Sequence, residues 1–259
     1  MRIGRIKNKI IGKINELKTN NSCSELAEKY DFNGYKRIYH VHIRKTGGTS
    51  LNNMFLKLSG KNSSDLYEGL VSTPEHRLNV SDKIYVGWNK ALINKGDYFY
   101  AFSHIPYHKL NLKQDTFTFT CFRDPVKRIV SHYYMLVDWV NDGVNHPCIA
   151  TEGKWLGKSF CDFFNNMPKE HLFNQIYMFS TDFNVDQAQD MLNNVSHIMF
   201  TEKFDSGVEE LNRKLGIDLE SIHIRKSTRE NVIKQSELDD LRDVLEIEYR
   251  FLSDVSKGV

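Results

Sequence analysis

Apolar residues recur along this chain in two alternating rhythms. Short β-rich runs, "RIYHVHI" (37–43), "KIYVGW" (83–88), "YFYAFSHI" (98–105), "DTFTFTCFR" (115–123) and "HIMFTE" (197–202), predict buried strands. Helical spacing marks residues 50–58, "VKRIVSHYYMLVDWV" from Val126, and then about 158–166, 169–180 and 185–194. Two more helices follow, "KFDSGVEELNRKLG" ending at Gly216 and a last one over about 235–256. Asp124 reads as an N-cap, with Pro125 as the first helical residue. Residues 60–82 are polar and turn-rich, and predict a long excursion without regular structure. Residues 141–157 predict an irregular segment. Strands alternating with helices predict an α/β fold with a central, mainly parallel sheet covered on both faces. Ligands then belong at the carboxyl ends of the strands.

The N-terminus follows a different pattern. In "MRIGRIKNKIIGKINELK", Ile3, Ile6, Ile10, Ile14 and Leu17 share a helical stripe, with Arg2, Arg5, Lys7, Lys9 and Lys13 on the other faces. Such a helix can lie on an anionic membrane surface, dock on its own domain, or fray. The chain therefore divides into a helical segment, 1–35, and a single domain, 36–259. No run approaches the roughly 20 apolar residues of a membrane span. The net charge of +2 gives no global basic field, and no nucleic-acid partner is expected. Four cysteines show neither CxxC nor metal-ligand spacing, so no metal is expected. Cys121 reads as a buried thiol, and a Cys148–Cys161 bridge is disfavoured.

Candidate chemistry begins at "HVHIRKTGGTSLNNMF" (40–55). A strand meets a glycine-rich turn and then a helix, whose first N–H groups lack partners and sit at the positive end of the dipole. Gly47 and Gly48 allow a tight turn and close approach, Lys45 adds charge, and Thr46, Thr49 and Ser50 add hydroxyls. The G-x-x-x-x-G-K-[ST] pattern of nucleoside triphosphatases is absent, because here the lysine precedes the glycines. A second element, "TFTCFRDPVKRIVSHYY" (118–134), puts Arg123 at a strand end and Ser131 about two turns into a helix. A guanidinium fork and a hydroxyl can complete a second anion site.

Together, "HIRKTGGTS" and "FRDPVKRIVSHYY" resemble the sulfotransferases that use 3′-phosphoadenosine 5′-phosphosulfate (PAPS). The likeness is nearest to carbohydrate O-sulfotransferases of the heparan sulfate 2-O-sulfotransferase type. It runs from about residue 38 to 256 and includes "FSHIPYHKL" (102–110), "FTEKFDSGVEEL" (200–211) and "IRKSTRE" (224–230). The resemblance implies a P-loop-like three-layer α/β fold and metal-free transfer of a sulfuryl group from PAPS to a hydroxyl. It leaves adenosine 3′,5′-bisphosphate (PAP) as product. Lys45, Thr46, Gly47, Gly48, Thr49 and Ser50 would hold the 5′-phosphosulfate. Arg123 and Ser131 would hold the 3′-phosphate, with Arg225, Lys226, Ser227 and Thr228 folding over the nucleotide. His104, closing a predicted strand, falls where the family carries its base, and histidine's unperturbed pKa near 6.5 suits that task. Lys45 would stabilise the leaving group.

Three positions depart from the family. Phe102 stands where the heparan sulfate enzymes carry another histidine, His42 where they carry arginine, and Arg44 where proline is frequent. His42 and Arg44 are accordingly candidates for sulfuryl or acceptor contact, while His132 and His171 read as packing or surface residues. Residues 60–97 and 141–180 are expected to wall an acceptor cleft. They carry aromatics suited to sugar faces (Tyr67, Trp88, Trp139, Trp155) and basic residues suited to acidic polymers (Arg77, Lys90, Lys154, Lys158). The expected acceptor is a saccharide or another hydroxyl compound. The expected location is cytoplasmic, with peripheral membrane contact through residues 1–18. Two other classes stay open: a P-loop-like nucleotide-dependent kinase, and a nucleotide-binding protein without catalysis.

Overall fold

The structure, a computed structural model, describes residues 23–222 and 233–257. The basic stripe of residues 1–18 and the stretch Arg225 to Thr228 lie outside the described residues. Six strands form one sheet. In chain order the elements are β1 (Arg37–Val41), α1 (Gly48–Lys57), α2 (Ser63–Ser72), β2 (Arg77–Val80), β3 (Lys83–Gly87) and α3 (Lys90–Lys95). They continue through β4 (Tyr100–Ser103), β5 (Thr116–Phe122), α4 (Pro125–Asn141), α5 (Pro147–Glu152) and α6 (Phe160–Asn166). The last are α7 (Lys169–Leu172), α8 (Asn174–Tyr177), α9 (Val185–Leu192), β6 (His197–Phe200), α10 (Phe204–Leu215), α11 (Gln235–Val244) and α12 (Glu246–Lys257).

The spatial order is β2-β3-β4-β1-β5-β6, and every pairing is parallel except β2 with β3. The expected mainly parallel α/β architecture is therefore present. Both faces of the sheet are buried, so every residue of β1 and β5 is buried, including the polar Arg37, His40, Thr116, Thr118 and Thr120. Alternate residues feed two cores. Ile38, Tyr85, Tyr100, Phe102, Phe117 and Phe119 pack on one face under α1 and α10. Tyr39, Val41, Ile84, Val86, Ala101 and Phe122 pack on the other under α8, α9 and α12. A third cluster joins α4 to α6 and α11 through Ile129, Leu136, Phe163 and Leu241.

Several sequence expectations need correction. Residues 60–82 carry regular structure, α2 and β2, and β2 pairs antiparallel with the expected β3. Polar composition hides α2, whose cap is Asn62 accepting from the Ser64 and Asp65 amides and whose one buried anchor is Leu70. Within 141–157, α5 forms behind His146, which accepts from the Cys148 amide at 3.1 Å. The helix expected over 169–180 splits at Phe173 (φ −102°, ψ 40°), and the last helix turns at Leu245 (φ −90°, ψ 10°). Cys148 and Cys161 are free thiols, and Cys121 is buried.

Arg128 of α4 and Glu248 of α12 are fully buried and pair at 3.2 Å. Arg128 also donates to the carbonyls of His171 and Leu172, and Glu248 accepts from the Gln175 amide at 2.9 Å. Removing one member leaves a buried charge unpaired. Glu248→Leu is expected to cost about 3–5 kcal/mol, read as a lowered urea midpoint. Unchanged stability would show that water reaches Arg128 in the variant.

Candidate active site

The loop after β1 builds an anion cradle. Lys45 takes φ 68° and Gly47 φ 82°, and left-handed residues set among ordinary ones turn successive N–H groups toward one point. Gly47 is the N-cap of α1 and offers no side-chain cap, so the first amides of the helix stay available to a ligand. Gly48 serves a different purpose. A Cβ there would fall on the His42 imidazole, around Nε2 and Cδ2. Gly47 and Gly48 are thus required for different reasons, one for backbone conformation and one for space.

The strand ends converge on this cradle in a cleft of ≈ 690 Å³. His42, Arg44, Lys45 and Gly47 line it from the loop after β1, Gly48, Thr49 and Ser50 from the start of α1, His104 from just after β4, Arg123 from just after β5, and Lys127 and Ser131 from α4. Thr46 is brought elsewhere. It is fully buried, and its hydroxyl donates to the Ile43 carbonyl at 3.0 Å, bracing the loop from behind. Arg123 links the two anion elements directly, its Nη1 donating to the Lys45 carbonyl at 3.1 Å. Gln175, fully buried, holds Arg123 by exchanging two bonds with its backbone, at 2.9 and 3.0 Å. Lys45 Nζ lies 3.2 Å from Met135 Sδ, a weak acceptor that an anionic oxygen would displace.

His104 is half-buried at the cleft wall. Its Nδ1 donates to the His42 carbonyl at 2.7 Å, because a carbonyl can only accept. The lone pair therefore resides on Nε2. Desolvation and then the nearby Arg44 charge hold its pKa down to about 4, so the ring is neutral at neutral pH. His42 lies tilted beside it, ring centroids 4.2 Å apart, and burial with His104 as neighbour holds its pKa well below the ordinary value too.

Arg44 is committed to a partner. Its guanidinium pairs with Glu152 at 2.6 Å, and Glu152 accepts from His132 Nε2 at 2.7 Å. Glu152 is buried yet stays ionised, with a pKa of about 2, because His132 and Arg44 outweigh its desolvation. His132 is a packing residue with this polar task, and His171 is half-buried against Trp155. The clamp ties α5 to the cradle. Among the expected acceptor residues, Tyr67 and Trp139 line the cleft, with Glu68, His146 and Cys148. Trp155 belongs to the core, Trp88 packs edge-on against Phe102, and none of Arg77, Lys90, Lys154 and Lys158 reaches the lining. Sequence reading missed Glu152, Gln175, Asn52 and Lys127.

A sequence model described as the sulfotransferase family matches residues 28–243, most of the chain. The chain belongs to the sulfotransferase family. Solved structures similar to it include a sulfotransferase from Alicyclobacillus acidocaldarius, 12% identical, with a TM-score of 0.40, covering 85% of this chain and 94% of that one. Another is mouse sulfotransferase SULT7A1 complexed with PAP, 15% identical, with a TM-score of 0.33, covering 86% and 68%. No curated protein matches the sequence. Membership in the sulfotransferase family makes this chain an enzyme of sulfuryl transfer. Among the described residues, no helix is long and apolar enough to cross a membrane.

Proposed function

We propose that this sulfotransferase moves a sulfuryl group from PAPS to a hydroxyl of a carbohydrate acceptor, with His104 as general base. One observation carries the donor assignment: two anion-binding elements meet at the carboxyl ends of neighbouring strands β1 and β5, joined by Arg123 Nη1 on the Lys45 carbonyl. A nucleotide with phosphates at both its 5′ and 3′ ends requires that pair. The residues fit the group, since Gly48 has no room for a Cβ and α1 has no side-chain cap. PAPS, when bound, supplies the electrophilic sulfur and a phosphate leaving group.

The chain's residues have distinct tasks. The Lys45–Ser50 loop holds the 5′ end, omitting the Thr46 hydroxyl, and Arg123 and Ser131, with Lys127, hold the 3′ end. Arg225, Lys226, Ser227 and Thr228 remain proposed nucleotide contacts by resemblance. His104 Nε2 accepts the acceptor proton, because its own proton is fixed on Nδ1. Lys45 offsets charge on the leaving oxygen. Tyr67 and Trp139 offer ring faces to a sugar, and the likeness to the heparan sulfate 2-O-sulfotransferase type supports a saccharide. We place the enzyme in the cytoplasm, touching membrane peripherally through residues 1–18. Equal, negligible liposome binding by the full chain and a version lacking those residues would end the membrane idea.

Thermal shift decides the donor. PAP is expected to raise the melting temperature in proportion to its concentration over Kd, and ATP with Mg²⁺ to leave it unchanged. A shift with ATP alone would favour a kinase instead. Gly48→Ala supplies a sharper form of the test. Its methyl must displace His42 or the helix start. PAP affinity is expected to fall by about tenfold or more, a loss of at least ~1.4 kcal/mol. Titration calorimetry that finds normal affinity in this variant would refute the cradle as the phosphosulfate site.

A further inference from the structure

Three imidazoles and one amide form a row under the cradle. His40 is fully buried and stacks on Phe119 at 4.6 Å and on His42 at 5.0 Å. Asn52, in the second turn of α1, is also fully buried. Its Oδ1 lies 2.8 Å from the Tyr100 hydroxyl and 2.9 Å from His40 Nδ1, and its Nδ2 lies 3.4 Å from His42 Nδ1.

The Tyr100 hydroxyl also lies 3.2 Å from His40 Nδ1. One assignment of the protons satisfies this row. His40 Nε2 is buried without a partner, and orphaned N–H groups are rarer in protein interiors than orphaned acceptors, so the His40 proton is assigned to Nδ1. His40 Nδ1–H and the Tyr100 hydroxyl then both donate to Asn52, which identifies the facing atom as its carbonyl oxygen. The Asn52 amide nitrogen is left to donate to His42 Nδ1. That nitrogen must accept, so the single proton of neutral His42 is on Nε2, the atom at the Gly48 end of the ring on the cleft wall.

We propose that Asn52 is a positioning residue that locks His42 as its Nε2–H tautomer, so that His42 donates a neutral hydrogen bond to the sulfuryl group in transfer. The proposal rests on the sulfuryl-transfer reading. His104 and His42 then present opposite functions from adjacent rings: one offers a lone pair to the acceptor proton, the other an N–H to a sulfuryl oxygen. A neutral donor also avoids placing a third cation beside Lys45 and Arg44. Oriented donors aimed at developing charge are a large catalytic term.

The test is ¹⁵N NMR of the full-length, histidine-labelled protein bound to PAP, with His42 resonances assigned by their loss in His42→Phe. His42 is expected to show an unprotonated Nδ1 and a protonated Nε2. Asn52→Leu, similar in volume, is expected to give a mixture of tautomers. It should also weaken vanadate binding to the PAP complex by about 10²-fold while PAP affinity stays within about threefold. A protonated Nδ1 in the wild-type protein overturns the proposal, and so does an unchanged tautomer or an unchanged vanadate affinity in Asn52→Leu. The wild-type spectrum decides even if the variant does not fold. Failure of wild-type protein to bind PAP would sink the PAPS reading instead, and the tautomer would still be legible.

Discussion

His104→Ala is expected to lower sulfuryl transfer by about 10²–10⁴-fold, the range for loss of a positioned acid–base group. PAP affinity should be nearly unchanged, because the cradle is built by the β1 loop and α1 rather than by the imidazole. The reason for so large an effect is the tautomer. The 2.7 Å bond from Nδ1 to the His42 carbonyl leaves Nε2 as a lone-pair acceptor without any prior rearrangement. The pH profile provides an independent check with a definite sign. A general base works unprotonated, and burial beside Arg44 lowers the His104 pKa to about 4. The free enzyme's kcat/KM should therefore hold level as pH falls through 6.5, where an exposed histidine would be lost, and drop only near the lower value. A break near 6.5 would show that the ring is solvated in the free enzyme. Near-normal turnover in His104→Ala would end the base assignment.

The sheet and the cradle were legible in the sequence for a physical reason. A parallel strand buried on both faces favours β-branched and aromatic residues, and a turn that packs against an imidazole must be glycine, so β1, β5 and "KTGGTS" announce themselves locally. The segments that misled are those whose burial is one-sided and slight. In α2 only Leu70 is buried, and the capping Asn62 looks like any loop asparagine. Thr46 was placed among the ligand hydroxyls because residue type suggests a donor. Type does not reveal that the side chain turns back to Ile43. The Arg44–Glu152–His132 clamp was illegible for a different reason. Its members come from the β1 loop, α5 and α4, and no local spacing joins them. Asn52 did carry a faint signal. Asparagine is a poor helix former, and one buried inside a helix must be bonded to something specific.

That clamp bears on the second large effect, the one expected from Lys45→Ala. Of the cations beside the cradle, Arg44 is committed: Glu152 holds it at 2.6 Å and is itself anchored by His132. Arg44 can approach an anion only by leaving the buried Glu152 carboxylate without its counter-cation, held by His132 alone, which is costly. Lys45 lies in the cleft with its Nζ 3.2 Å from Met135 Sδ, a weak acceptor, and its left-handed backbone sets it in the same turn as the ligand amides. Charge on the leaving phosphate oxygen grows as the sulfuryl group departs, so a cation there stabilises the transition state more than the bound donor. Lys45→Ala is therefore expected to lower kcat by about 10²–10³-fold, with a much smaller change in PAP affinity. Lys45→Arg should recover little, because a planar fork on a different stem does not reproduce a compact ammonium. If Lys45→Ala instead weakens PAP binding and leaves kcat intact, the lysine holds the nucleotide equally in ground and transition states. The leaving-group role would then pass to Arg44, and Glu152→Gln, which loosens Arg44 from its partner, should raise turnover in the Lys45→Ala background.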